Sequence, residues 1–104
     1  MESTAPLPPA NVRATARVAL VEDDPNVREH LIDLITWSPQ LDLAGVAPTL
    51  RQGRDLIAQR PDIFLLDIGL PDGSGLDLIA DIKAAGDARV LVLTMYADRE
   101  TVVS

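Results

Sequence analysis

The sequence contains no cysteine, which excludes disulfides, thiolate nucleophiles and sulfur-ligated metals. It has a single histidine, His30, so a multi-histidine metal site cannot form. Trp37, Phe64 and Tyr96 are the only aromatics, so the core must be aliphatic and there is no platform for stacking nucleic-acid bases. Cations are scarce, with nine Lys and Arg against sixteen Asp and Glu and a formal net charge of −7. A segment so charged lacks the clustered cations that grip nucleic acid or an anionic membrane. No apolar run approaches the roughly 20 residues of a membrane span. The N-terminus has no basic region followed by an apolar block, so it does not read as a secretory signal. A cytoplasmic protein without membrane contact is the expectation.

What is present suffices for one packed domain: 104 residues, 47% of them hydrophobic. Residues 1–16 contain Pro6, Pro8 and Pro9 among small and polar residues and read as a flexible leader. The domain is expected over residues 17–104. Val18-Ala19-Leu20-Val21, Ile63-Phe64-Leu65-Leu66 and Val90-Leu91-Val92-Leu93 are short continuous apolar runs, as in strands buried on both faces. Leu41-Asp42-Leu43 alternates before Ala44-Gly45-Val46-Ala47, which suits an edge strand.

Between these lie helical patterns. Asp24 can cap a first helix with Pro25 in its first turn and Val27, Leu31, Leu34 and Ile35 as its apolar stripe. Thr49 to Arg60 predicts a second helix, with Leu50, Leu56 and Ile57 inward and Pro61 as its stop. Leu76, Ile79 and Ile82 mark a third helix ending at Gly86. Asp98 can cap a fourth. Strands alternating with helices imply an α/β fold, a doubly wound parallel sheet with helices on both faces. An order 2-1-3-4 satisfies three central strands and one edge, provided something covers the fourth strand.

The acids are informative by position. Glu22 and Asp23 directly follow the first strand, Asp67 the third, and Thr94 the fourth. Ligands of open α/β sheets bind outside the carboxyl ends where the strand order reverses, and neighbouring strands are about 4.8 Å apart. Glu22, Asp23 and Asp67 should therefore converge. Three close carboxylates either keep a proton or bind a cation, and an all-oxygen site with room for water favours Mg²⁺ (or Mn²⁺). Asp67 would then be placed to attack phosphorus, with the Thr94 hydroxyl near a phosphoryl oxygen. Single acids after strands are commonly helix caps or solvated surface; the constellation across separate strands is what carries the reading.

These stretches resemble the receiver domains of bacterial two-component response regulators. The matching segments are Val18-Ala19-Leu20-Val21-Glu22-Asp23-Asp24-Pro25-Asn26-Val27-Arg28, Leu65-Leu66-Asp67-Ile68-Gly69-Leu70-Pro71-Asp72-Gly73-Ser74-Gly75, and Val92-Leu93-Thr94. The resemblance implies a flavodoxin-like fold of order 2-1-3-4. It also implies Asp67 as phosphoacceptor, Glu22 and Asp23 as the acidic pair with Asp23 a direct metal ligand, Gly69 as donor of a backbone carbonyl to the metal, and Thr94 as switch hydroxyl. The implied partner is a sensor histidine kinase. The wording of Leu70 to Leu76 and of Leu93 to Tyr96 is similar to the subfamily with a LuxR-type DNA-binding output, so DNA would be met only through an output domain outside this sequence.

The family's lysine after a fifth strand, that strand and the fifth helix have no counterpart here, and the fourth helix is cut short at Ser104. Lys83, the sole lysine, falls on the third helix. Other features read blandly: His30 and Arg28 as surface, Trp37 as closing the first helix, Tyr96 as a rim residue, and Gly73-Ser74-Gly75 as a turn, since it lacks the Gly-Lys-Ser/Thr ending of a P-loop. Two alternatives stand beside the phosphoacceptor. A pseudo-receiver would only mediate protein contacts. An aspartyl phosphatase is disfavoured because Gly69 stands where its second acid would sit, two residues after the nucleophile. The chain is expected to accept phosphoryl from a small phosphodonor more slowly than a complete domain; equal rates by intact-mass labelling would contradict this. It is also expected to self-associate through its fourth strand, and a monomer in light scattering across concentration would count against that.

Overall fold

The computed structural model describes residues 15–93, so the first fourteen residues and everything from Thr94 onward, including the expected fourth helix and Tyr96, lie outside the described residues. The elements in chain order are β1 (Ala16–Val21), α1 (Pro25–Trp37), β2 (Leu41–Ala47), α2 (Leu50–Asp55) with a 3₁₀ continuation (Leu56–Gln59), β3 (Ile63–Asp67), two-residue strands β4 (Gly69–Leu70) and β5 (Gly73–Ser74), α3 (Gly75–Ala85) and β6 (Arg89–Leu93). The main sheet is parallel, in the order β2-β1-β3-β6. This is the expected 2-1-3-4 arrangement, because β6 is the fourth long strand. At the start of β1, Ala16 pairs with Leu41 and its N–H donates to the Gln40 carbonyl at 3.0 Å.

The first continuous apolar run is buried as a central strand requires, whereas the third, Val90 to Leu93, expected to be buried on both faces, lies at the edge of the described sheet with Leu91 and Val92 exposed. Val18, Ala19, Leu20 and Val21 are all essentially inaccessible. Alternate side chains of a strand face opposite sides of the sheet. Ala19, Val21, Phe64 and Leu66 therefore form one cluster with Ala47, Leu50, Leu70, Leu78 and Ile82, under α2 and α3. Val18 and Leu20 point the other way. On α1, which packs against β2, Ile35 is the buried residue.

Four helical expectations are corrected. Leu34 is 55% exposed, so the stripe of α1 is narrower than drawn. Leu76 is also exposed, and Leu78 with Ile82, spaced i and i+4, forms the inward row of α3. The second helix is not continuous to Arg60. It turns 3₁₀ at Leu56 and closes with Arg60 left-handed at φ 54°. Pro61 disfavours the right-handed helical conformation for the residue before it. The guanidinium of Arg17 donates to the Gln59 and Arg60 carbonyls at 2.5 and 3.1 Å, satisfying the helix end. Trp37 does not close α1 either: it is 83% exposed. β6 forms an edge of the described sheet, and Leu91 and Val92 on it are exposed. Among the described residues no helix is long and apolar enough to cross a membrane.

The start of α2 is capped twice. Thr49 Oγ1 accepts from the Gln52 N–H at 3.1 Å. Asp72, 22 residues further on, accepts from the N–H groups of Leu50 and Arg51 at 2.6 and 3.0 Å. Two amide donors at a helix N-terminus hold the Asp72 carboxyl below the usual carboxylate range. A depressed pKa contributes stability above the unfolded-state pKa that is lost as pH falls through the folded-state value. Asp72→Ala should therefore lower the urea midpoint at neutral pH, with the gap to the parent chain closing once the medium is acidic enough to protonate Asp72.

Candidate functional site

Parallel strands put all their carboxyl ends on one rim. Val21 closes β1, and the Glu22 N–H donates to the Ala47 carbonyl at 2.9 Å, tying the end of β1 to that of β2. Asp67 closes β3. Glu22, Asp23 and Asp67 meet there, each offering a carboxylate oxygen within 4.8 Å of the others. Glu22 and Asp67 are 2% and 3% exposed, and Asp23 is half-buried. The convergence expected of the three acids is thus what the fold produces.

Burial is the main cause that pushes the Glu22 carboxyl up to about 7. The Asp24 N–H, donating to Glu22 Oε2 at 3.1 Å, works against it, while the charges of Asp67 and Asp23 add to it. Asp67 is also raised, again chiefly by burial. The Gly69 N–H donates to Asp67 Oδ1 at 3.2 Å and restrains that rise. Two buried oxygens, Glu22 Oε1 and Asp23 Oδ1, have no hydrogen-bond partner among the described residues. Among the described residues the one ion pair, Arg54 with Asp81, lies between α2 and α3, away from the cluster. Unpaired buried oxygens on converging carboxylates fit a hard divalent cation completed by water.

The elements around the rim fix these acids. Asp24 accepts from the N–H groups of Asn26 and Val27 at 2.8 and 3.3 Å, so α1 starts immediately after the acid pair. After Asp67 the chain makes a small hairpin in which Gly69 pairs with Ser74 and Leu70 with Gly73. The Gly75 N–H donates to the Ile68 carbonyl at 2.8 Å, and a Cβ at Gly75 would lie 2.4 Å from the Asp67 carbonyl oxygen. Only glycine lets α3 begin this close to Asp67. Gly69 itself is exposed with open space beside it.

Thr94 lies outside the described residues. His30 is on the exposed part of α1, and Lys83 is exposed in the last turn of α3, away from the rim where that helix starts. Three positions with structural weight at the site were not singled out from the sequence. Gly75 and Asp72 read there as turn residues. Arg28 read as surface, but it is half-buried and its Nη1 donates to the carbonyls of Glu22 and Asp23. Only the Asp-Gly-Ser-Gly run gave a signal, and it did not point to these contacts.

The raised Glu22 gives a pH dependence with a definite sign. A carboxyl whose folded-state pKa exceeds its unfolded value contributes stability below the unfolded pKa that is lost as pH rises through the folded one. The metal-free chain should lose stability between pH 5 and about 7 through this group. Glu22→Gln should flatten that slope in urea titrations, and saturating Mg²⁺ should offset the loss in the unaltered chain.

Comparison with known proteins agrees with this geometry. Residues 18–104 match the family model for the response regulator receiver domain. The DNA-binding transcriptional activator DevR/DosR of Mycobacterium tuberculosis is 38% identical over 89 residues, which cover 84% of this chain and 41% of that protein. A LuxR-family two-component response regulator from Aurantimonas sp. SI85-9A1 superposes with a TM-score of 0.72 at 34% identity, covering 79% of this chain and 60% of that one. The PhyR response regulator REC domain of Erythrobacter litoralis superposes with a TM-score of 0.73 at 32% identity, covering 88% and 74%. The chain spans less than half the length of the curated relatives it matches.

Proposed function

The chain belongs to the response regulator receiver domain family, and from that premise we propose that it is a phosphoacceptor switch in which Asp67 receives a phosphoryl group from a sensor histidine kinase. The observation that carries this reading is the meeting of Glu22, Asp23 and Asp67 at one rim with two buried oxygens unpartnered. Asp23 and Asp67 would hold Mg²⁺ or Mn²⁺ directly, with the Gly69 carbonyl as a further ligand and Glu22 behind them. The ion supplies positive charge that offsets both the clustered acids and an incoming phosphoryl group.

The work of the chain itself is to position and to accept. An oxygen of Asp67 forms the new bond to phosphorus as the phosphorus–nitrogen bond of the kinase phosphohistidine breaks, and the departing imidazole nitrogen takes the electron pair and is protonated by solvent water. The Gly69 amide holds Asp67 Oδ1 and so orients the other oxygen for attack. The Thr94 hydroxyl donates to a phosphoryl oxygen and carries the change towards the following segment. The chain is a signalling domain of the cytoplasm, not an enzyme with a substrate of its own. By likeness to DevR/DosR and the LuxR-family regulator, the output is transcription, and DNA is met by a separate domain. Leu91 and Val92, exposed on β6, support self-association.

The alternative is a pseudo-receiver that only mediates protein contacts. Calorimetric Mg²⁺ titration separates the two. The chain should bind the ion and take one phosphoryl group from acetyl phosphate in its presence. Asp67→Asn should abolish the covalent label and weaken Mg²⁺ by at least about tenfold. A chain that binds no Mg²⁺ at this rim would be an interaction module.

A further inference from the structure

Arg28 stands in the first turns of α1, yet its guanidinium folds back onto the rim. Nη1 donates to the carbonyl of Glu22 at 3.1 Å and to that of Asp23 at 3.2 Å. These peptide groups belong to the residues carrying the site's acid pair. We propose that Arg28 is a positioning residue for the metal site: it fixes the rotation of the two peptides and so keeps the Glu22 and Asp23 carboxylates aimed at Asp67. The inference rests on the receiver reading, since it concerns the same rim.

The hydrogen bonds of the segment 22–24 support this assignment. Two of its amides have partners in β2 and within the segment, through Glu22 N–H to Ala47 and Asp24 N–H to Glu22 Oε2. Its three successive carbonyls all accept from one residue. Those of Glu22 and Asp23 take the guanidinium, and that of Asp24 takes the Arg28 backbone N–H at 2.8 Å. The three clustered carboxylates repel one another. The easiest relief is for a peptide of this segment to rotate and carry Asp23, which is only half-buried, out to water. Charge-assisted bonds to both carbonyls oppose that rotation.

The proposal makes a prediction of unusual sign. Arg28 is a cation near a cation site. If it acted only through its charge, neutralising it would tighten Mg²⁺ binding. If it acts by holding the peptides, neutralising it loosens binding. Positioning should win, because the guanidinium faces the carbonyl dipoles of Glu22 and Asp23 rather than the carboxylates.

The test is calorimetric titration of MgCl₂ into the unaltered chain and into Arg28→Gln, Arg28→Met and Arg28→Lys, with far-UV circular dichroism to confirm folding. Arg28→Met keeps the apolar stem and serves if Arg28→Gln does not fold. Both neutral variants should bind Mg²⁺ about tenfold more weakly, as loss of outer-shell support typically does. Arg28→Lys, which keeps the charge and a donor, should recover most of the loss. In the metal-free chain the amide resonances of Asp23 and Asp24 should broaden in the neutral variants and not in Arg28→Lys. Neutral variants that fold and bind Mg²⁺ as tightly as the unaltered chain, or more tightly, overturn the assignment. Failure of the unaltered chain to bind Mg²⁺ overturns the receiver reading itself, and this inference with it.

Discussion

Glu22, Asp23 and Asp67 repel one another, and the fold holds them together all the same. Water would ordinarily separate such groups, but Glu22 and Asp67 are buried at the ends of adjacent strands. The parallel pairing of β1 with β3 dictates their proximity, and that pairing is secured by apolar runs buried on both faces. Hydrophobic burial in the sheet thus sustains an electrostatic strain at its rim. Burial chiefly elevates the Glu22 carboxyl, the charges of Asp67 and Asp23 add to it, and a divalent ion would relieve both.

The connections around the rim all serve this arrangement. Asp24 starts α1 without an intervening residue after the acid pair. Arg28 returns from α1 to the same segment. On the other side of the sheet, Asp72 ties the loop after Asp67 to the start of α2. Each of the two loops that carry acids is therefore anchored to a helix by a charged side chain. The helices do more than cover the sheet; they set the geometry of the loops between them.

Much of this was legible in the sequence, for a physical reason. Buried central strands must be uniformly apolar, so the first polar residue after each run marks the rim. Val21-Glu22-Asp23 and Leu66-Asp67 announce themselves in that way. The parts that were not legible depend on distant partners or on helix phase. Asp72 has the composition of a turn residue, and its role lies with amides 22 residues earlier in the chain. Arg28 looks like any arginine on a polar helix face until its side chain is seen to reverse direction. Leu76 and Leu78 are both apolar and two residues apart, and only the packing of α3 on β3 decides which faces inward. The 3₁₀ turn at Leu56 reflects a helix squeezed between Pro61 behind it and close packing at Gly53, where a Cβ would meet Leu78 and Val21.

The missing side chain at Gly75 has a mechanical meaning. With no atom between them, the backbone of α3 abuts the carbonyl of Asp67. The helix is 11 residues long, so it spans about 16 Å to its far end at Gly86. It is a stiff rod seated on the strand end that carries Asp67. The close approach at Gly75 fixes where that rod begins, and it ends at Gly86, before the chain enters β6.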